Sequence, residues 1–154
     1  MKIYIESQVP NITSTDAFQY EVINILNFPR GWGKRHLWER TKIKLKADYE
    51  INLVTNKYIT NKYGKKFNML SCAEVGGRHA YINVERWTNG SVESKLDLPN
   101  YKIYVINHEV GHLLGLNHPT DDELQKIPPG SPCPVMVPQT SGVCPHHLIP
   151  NEWL

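Results

Sequence analysis

The residues best equipped for chemistry lie in one window, His108-Glu109-Val110-Gly111-His112-Leu113-Leu114-Gly115-Leu116-Asn117-His118. His108 and His112 are four apart, which on a helix puts them on one face, one turn from each other. Two imidazoles so placed can share a zinc ion at about 2.0–2.1 Å each. Glu109 follows the first of them, where a carboxylate can reach a water on the metal without occupying a coordination site. His118 is six residues past His112, a rotation of about 240° if the helix ran on. Gly115 offers the remedy, because glycine takes a left-handed conformation at little cost and lets the chain turn back. Three nitrogens plus one water make an open, catalytic zinc site, whereas a closed structural site would need a fourth protein ligand. The expectation is one Zn2+ per chain, held by His108, His112 and His118, with Glu109 as general base.

Those residues need a helix beneath them. Ile103, Ile106, Val110, Leu113 and Leu114 recur at three and four, predicting an active-site helix near 101–114 with one buried face, capped at Asn100 and ended by Gly115. Ala17, Val22, Ile23, Ile25 and Leu26 give a second stripe after the caps Thr13 to Asp16, predicting a backing helix near 15–27. Met1–Val9, Thr41–Ala47, Glu50–Thr55 and Arg78–Trp87 read as strands. Lysine-rich 56–67 reads as an exposed loop, and everything after Leu116 as proline-rich loop. The fold expected is α/β (α+β): one compact domain over 1–154, with a small twisted mixed sheet, a backing helix and an active-site helix.

The chain has 154 residues, 40% hydrophobic and 21% charged, an ordinary single-domain composition that excludes a disordered, coiled-coil or collagen-like protein. A net charge of +2 is too small a bias to argue for nucleic acid. The densest basic run, Lys34 to Lys46, is expected to be a solvated strand face, with a patch for an acidic partner as the alternative. No stretch approaches the roughly 18 apolar residues of a membrane span. The alternating start does not resemble a signal peptide, so an intracellular setting is expected unless a leader has been removed. No membrane partner is expected, and a monomer is. Cys72, Cys133 and Cys144 allow at most one disulfide and match no zinc-finger spacing. Cys133 is expected to be a buried thiol or to pair with Cys144 or Cys72. His36, His79, His146 and His147 read as ordinary histidines, and Trp32, Trp38, Trp87 and Trp153 as core or tail anchors.

The 108–118 window resembles the long motif of the metzincin metalloproteases, and Cys133-Pro134-Val135-Met136-Val137-Pro138 resembles their Met-turn. Residues 133–140 are therefore expected as a tight turn beneath the metal, with the tail to Trp153 packed on the domain. A wider resemblance is to a bacterial family of small zincin-like domains. It rests on Arg30-Gly31-Trp32, Ile82-Asn83 to Arg86-Trp87, Tyr101 to Asn107, Pro134-Val135-Met136 with Gln139-Thr140, and Cys144 before Pro150 to Trp153. The resemblance implies a zinc endopeptidase that binds an extended peptide or protein substrate along an edge strand, for which Arg78–Trp87 is the candidate. One departure is Pro138, where several metzincin branches carry a tyrosine that stabilises the transition state. His146, His147, Tyr101 and Tyr104 are the candidates to replace it. That departure, the short loop from His118 to Met136 and the lack of any visible activation control support a rival reading: a zinc-containing peptide- or protein-binding module that cuts nothing. A further option is hydrolysis of a non-peptide amide.

Overall fold

A computed structural model of the chain describes residues 1–29, 31–128 and 134–138. Arg30, Cys133, Gln139, Thr140, Cys144, His146, His147 and Trp153 lie outside the described residues, and with them the expectations placed on the tail. The fold is mixed α/β. Among the described residues five strands form one sheet: β1 (Lys2–Ser7), β2 (Glu39–Arg40), β3 (Tyr49–Val54), β4 (Cys72–Ala73) and β5 (His79–Asn83), in the order β2-β1-β3-β5-β4. β2, β1, β3 and β5 run parallel, with Ile5 opposite Ile51 and Ile51 opposite Ala80. β4 is antiparallel to β5, with Cys72 opposite Tyr81.

Successive strand residues point to opposite faces, and β3 and β5 are buried on both: Val54, Cys72 and Tyr81 cluster with Ile59 on one face. Ile3, Ile5, Ile51, Leu53, Ala80 and Ile82 belong to the larger core on the other. There α1 (Thr15–Leu26) adds Phe18, Val22 and Leu26, after the Ser14 hydroxyl caps it by accepting from the Ala17 amide at 3.1 Å. Phe18 meets Trp87 edge to face at 5.0 Å. Trp32, Trp38 and Trp87 are all buried, as core anchors should be.

Five sequence expectations change. Arg78–Trp87 is not one strand: β5 ends at Asn83, and α3 (Val84–Asn89) follows. The Asn83 side chain accepts from the Glu85 and Arg86 amides at 3.0 and 3.4 Å, so a helix cap sits inside a β-branched, aromatic run. Nor is β5 an edge, since it lies between β3 and β4. Residues 56–67 are not a loop but α2 (Asn56–Tyr63) and a 3-10 turn, Lys65–Phe67, with Thr55 as cap and Ile59 as the buried anchor. Thr41–Ala47 is not a strand; the pairing is limited to β2, and Lys44–Lys46 is a 3-10 turn. After Leu116 the short helix α5 (Asp121–Gln125) forms behind a reciprocal cap between Thr120 and Glu123. No helix among the described residues is long and apolar enough to cross a membrane.

Candidate metal centre

The site is built on α4 (Leu98–Leu113), whose cap is Asp97 and not Asn100: its carboxylate accepts from the Asn100 amide at 3.0 Å. The helix is also buried more completely than one apolar stripe predicts. Every residue from Tyr104 to Leu113 is buried, so its polar residues are enclosed along with Val105, Ile106 and Val110. Trp32 packs behind it and donates its indole N–H to the Asn107 carbonyl at 3.0 Å.

The helix ends as the glycine requires. Gly115 has φ +99°, its amide donates to the His112 carbonyl, and the Leu116 amide reaches the Gly111 carbonyl, each at 2.9 Å. That pair of bonds is the Schellman closure. It returns the chain over the last turn, so the Leu116 carbonyl faces His112 and His118 comes back to the helix. A side chain at Gly115 would meet nothing within 4 Å. The glycine is there for its backbone angle, not for space.

Ring orientation follows from two carbonyls. His108 Nδ1 lies 2.7 Å from the Val135 carbonyl, and His112 Nδ1 lies 2.7 Å from the Leu116 carbonyl. A carbonyl only accepts, so both Nδ1 atoms carry the proton and both Nε2 atoms present a lone pair. His118 Nε2 sits 3.2 Å from His108 Nε2 and 3.1 Å from His112 Nε2. Tetrahedral ligands at 2.0–2.1 Å from one ion would be separated by about 3.3–3.4 Å, so His118 Nε2 stands from each of the other two close to what a shared ion needs, and all three ligand atoms lie within 4.8 Å of one another. Burial of its ring and the neighbouring His112 push His118 down to about 4, and burial also lowers His112. Both shifts favour the neutral imidazole, the form that binds a cation. Among the described residues His108, His112 and His118 are the cluster that could hold a metal ion.

Glu109 is outside that nitrogen cluster but in the same cavity, a space of about 270 Å³ that it lines with the three histidines. Only 5% of the residue is exposed, and Oε2 has no hydrogen-bond partner among the described residues. Burial pushes its carboxyl up to about 8. A buried carboxylate without a partner is costly. A group entering the cavity with an N–H or O–H would satisfy it.

The opposite wall comes from residues that carry no functional signature in the sequence: Phe67, Leu70, Ser71, Cys72 and Ala73, the approach to β4 and β4 itself. The edge strand beside the site is thus β4, in place of the expected 78–87 segment. Cys72 is a free, buried thiol. Burial, then Glu109 and Glu74, hold that thiol up at about 12, so it stays protonated and is a poor metal ligand.

The floor is the segment 134–138. A Val137 amide to Pro134 carbonyl bond of 3.0 Å closes a turn, and Val135, Met136 and Val137 are wholly buried. Met136 packs onto Gly111: a Cβ there would collide with its sulfur and lie 3.2 Å from its methyl carbon. The turn is tied to the helix a second time by the Tyr104 hydroxyl, which donates to the Val137 carbonyl at 2.7 Å. Of the candidates for a transition-state group, Tyr104 lines the cavity with its hydroxyl committed to the floor. Tyr101 is buried and does not line the cavity, and Pro138 does.

No curated protein matches the chain. A family model matches residues 2–151, nearly the whole length, and takes in the helix, the glycine turn and the methionine turn. The chain belongs to the family described as "Protein of unknown function (DUF3152)".

Proposed function

We propose that the protein is a zinc-dependent endopeptidase of the metzincin kind. The observation that carries this reading is the convergence of three imidazoles, with His118 Nε2 3.2 Å from His108 Nε2 and 3.1 Å from His112 Nε2, in one cavity with a buried carboxylate that is not among them. A purely structural metal site has no use for Glu109 there, and removing it from water has a cost that only function offsets. Bound by the histidines, zinc would polarise a carbonyl and acidify a water. Burial favours the protonated form of Glu109, and the positive charge of a metal held by the histidines would restore its carboxylate. That carboxylate takes the proton of the attacking water and delivers it to the departing amine nitrogen, as the water oxygen bonds to the carbonyl carbon and the C–N bond breaks. Val135 and Leu116 hold the rings of His108 and His112 in the ligating tautomer. β4 is paired on one side, with β5, so its other side can accept an extended peptide through main-chain hydrogen bonds.

A second reading, a zinc-containing peptide- or protein-binding module, is favoured by one observation. Pro138 lines the cavity where several metzincins have a tyrosine, and Tyr104 is tied to the floor. Zinc-loaded protein incubated with denatured casein and a peptide library separates the two. The endopeptidase reading expects new amino termini from wild type and at least about 10²-fold fewer from Glu109→Gln. Retention of uncut peptide by both proteins is what the binding reading expects.

A further inference from the structure

The segment 34–46 carries six Lys/Arg against the single acid Glu39, a net +5 within 13 residues, whereas the whole chain is +2. The other 141 residues therefore carry −3 in sum, although 56–67 forms a second basic stretch, with four lysines and no acid. Within 34–46 the run Lys42-Ile43-Lys44-Leu45-Lys46 is exposed at every residue. Leu45 is 93% exposed, Ile43 50%, and nearby in sequence Leu37 is 68%. A solvated strand face would hide its apolar members, and here neither Ile43 nor Leu45 is buried.

The exposure is built in. Thr41 Oγ1 accepts from the Ile43 amide at 3.2 Å, and the Lys46 and Ala47 amides close the 3-10 turn onto Ile43 and Lys44 at 3.0 and 3.1 Å. The turn is moored on both sides. The Thr41 amide donates to Ile3 at 2.9 Å, the Asp48 carboxylate accepts from the Lys2 amide at 2.7 Å, and Arg78 donates to the Lys44 carbonyl at 2.5 Å. Lys44 leans back over the Tyr4 ring, its ammonium 3.9 Å from Glu6. Lys42 and Lys46 flank the apolar tip.

We propose that this turn docks the protein onto an anionic lipid surface, with Leu45 and Ile43 entering the acyl boundary and Lys42, Lys46 and Arg40 meeting the headgroups. Charge complementarity selects an anionic partner. The two aliphatic side chains at the tip select a lipid over a nucleic acid or an acidic polysaccharide, which offer no apolar phase. This is peripheral docking and needs no membrane-spanning helix. β2, from which the turn leaves, is the edge of the sheet opposite β4, so docking leaves the cavity side free.

The test is co-sedimentation of the full chain with vesicles of phosphatidylcholine alone or mixed with phosphatidylglycerol, beside a heparin column. Partition onto the mixed vesicles that fades with salt is expected, with little on phosphatidylcholine alone. Leu45→Ser should lower it at least about tenfold. The pair Lys42→Gln and Lys46→Gln should lower it roughly 30-fold, from about 1 kcal/mol per lysine. All three side chains are exposed, so circular dichroism should be unchanged. No partition onto anionic vesicles overturns the proposal. So does partition that Leu45→Ser leaves intact while the lysine pair abolishes heparin binding, which would make the turn a general polyanion site.

Discussion

His112 and His118 serve one site from two different kinds of structure. His112 sits on a helical stretch, Tyr104 to Leu113, in which every residue is buried, its ring fixed by the Leu116 carbonyl. His118 is an exposed loop residue, returned to the same point by a backbone angle at Gly115. The helix-borne ligand is held by the core and would keep its place without the metal. The loop-borne ligand depends on three residues of chain after the glycine. Assembly of the centre is therefore limited by the turn, and substitutions on the two sides should divide into those that cost stability and those that cost metal alone.

The largest effect should come from the ligands themselves. Structural zinc sites with four ligands bind with about 10–16 kcal/mol, so losing one ligand should weaken zinc by about 10²–10³-fold. His118→Ala should do this with little change in thermal midpoint, because the residue is exposed. His112→Ala should lose as much zinc affinity and also about 1–3 kcal/mol of stability, by orphaning the Leu116 carbonyl. Equal stability losses in the metal-free forms would erase the distinction. Competition titration with a chelator, beside denaturant unfolding of both apo proteins, measures the two quantities.

Next is the floor beneath the helix. Met136→Ala should cost about 2–5 kcal/mol, since the side chain is wholly buried. Met136→Leu, which conserves volume, should cost under about 1.5 kcal/mol and keep metal. Gly111→Ala must displace the Met136 sulfur and should cost about 1–3 kcal/mol. Denaturant midpoints check all three, and a Gly111→Ala protein as stable as wild type would mean that the turn does not bear on the helix.

The smallest effect sharpens the comparison most. Gly115→Ala has room for its methyl group, so the only cost is the positive φ, about 1–2 kcal/mol. Relieving that strain moves His118, so zinc affinity should fall while the apo protein stays folded. Gly115→Asn, which tolerates the left-handed region better, should recover part of the affinity. If both variants bind zinc like wild type, the turn is not what limits the centre.

The same division explains what could be read from the sequence. The His108–His112 helix was legible because helical spacing and ligand type coincide over several residues, and Gly115 because its conformational freedom is a local property. β4 was not legible. A two-residue strand has no periodicity of its own and exists because β5 offers a pairing edge. Asn83 misled because its neighbours are all good strand residues, while its cap acts through a side chain two and three residues upstream of the amides it satisfies. α2 has one buried residue, Ile59, too few to make a stripe. The alternation in 41–46 suggested a strand, but Ile43 and Leu45 both face solvent. The burial of every residue from Tyr104 to Leu113 depends on elements as far away as Trp32 and Val135, which no local window contains.

In the proposed endopeptidase Glu109 acts on substrate beside a metal that it does not bind. The most direct measurement takes wild type and Glu109→Gln, loads both with zinc, and determines bound metal and peptide-cleavage rate on the same samples. One zinc per chain is expected in each protein, with a rate at least about 10²-fold lower in the variant. Loss of zinc from the variant, or cleavage at the wild-type rate, would contradict that role of Glu109.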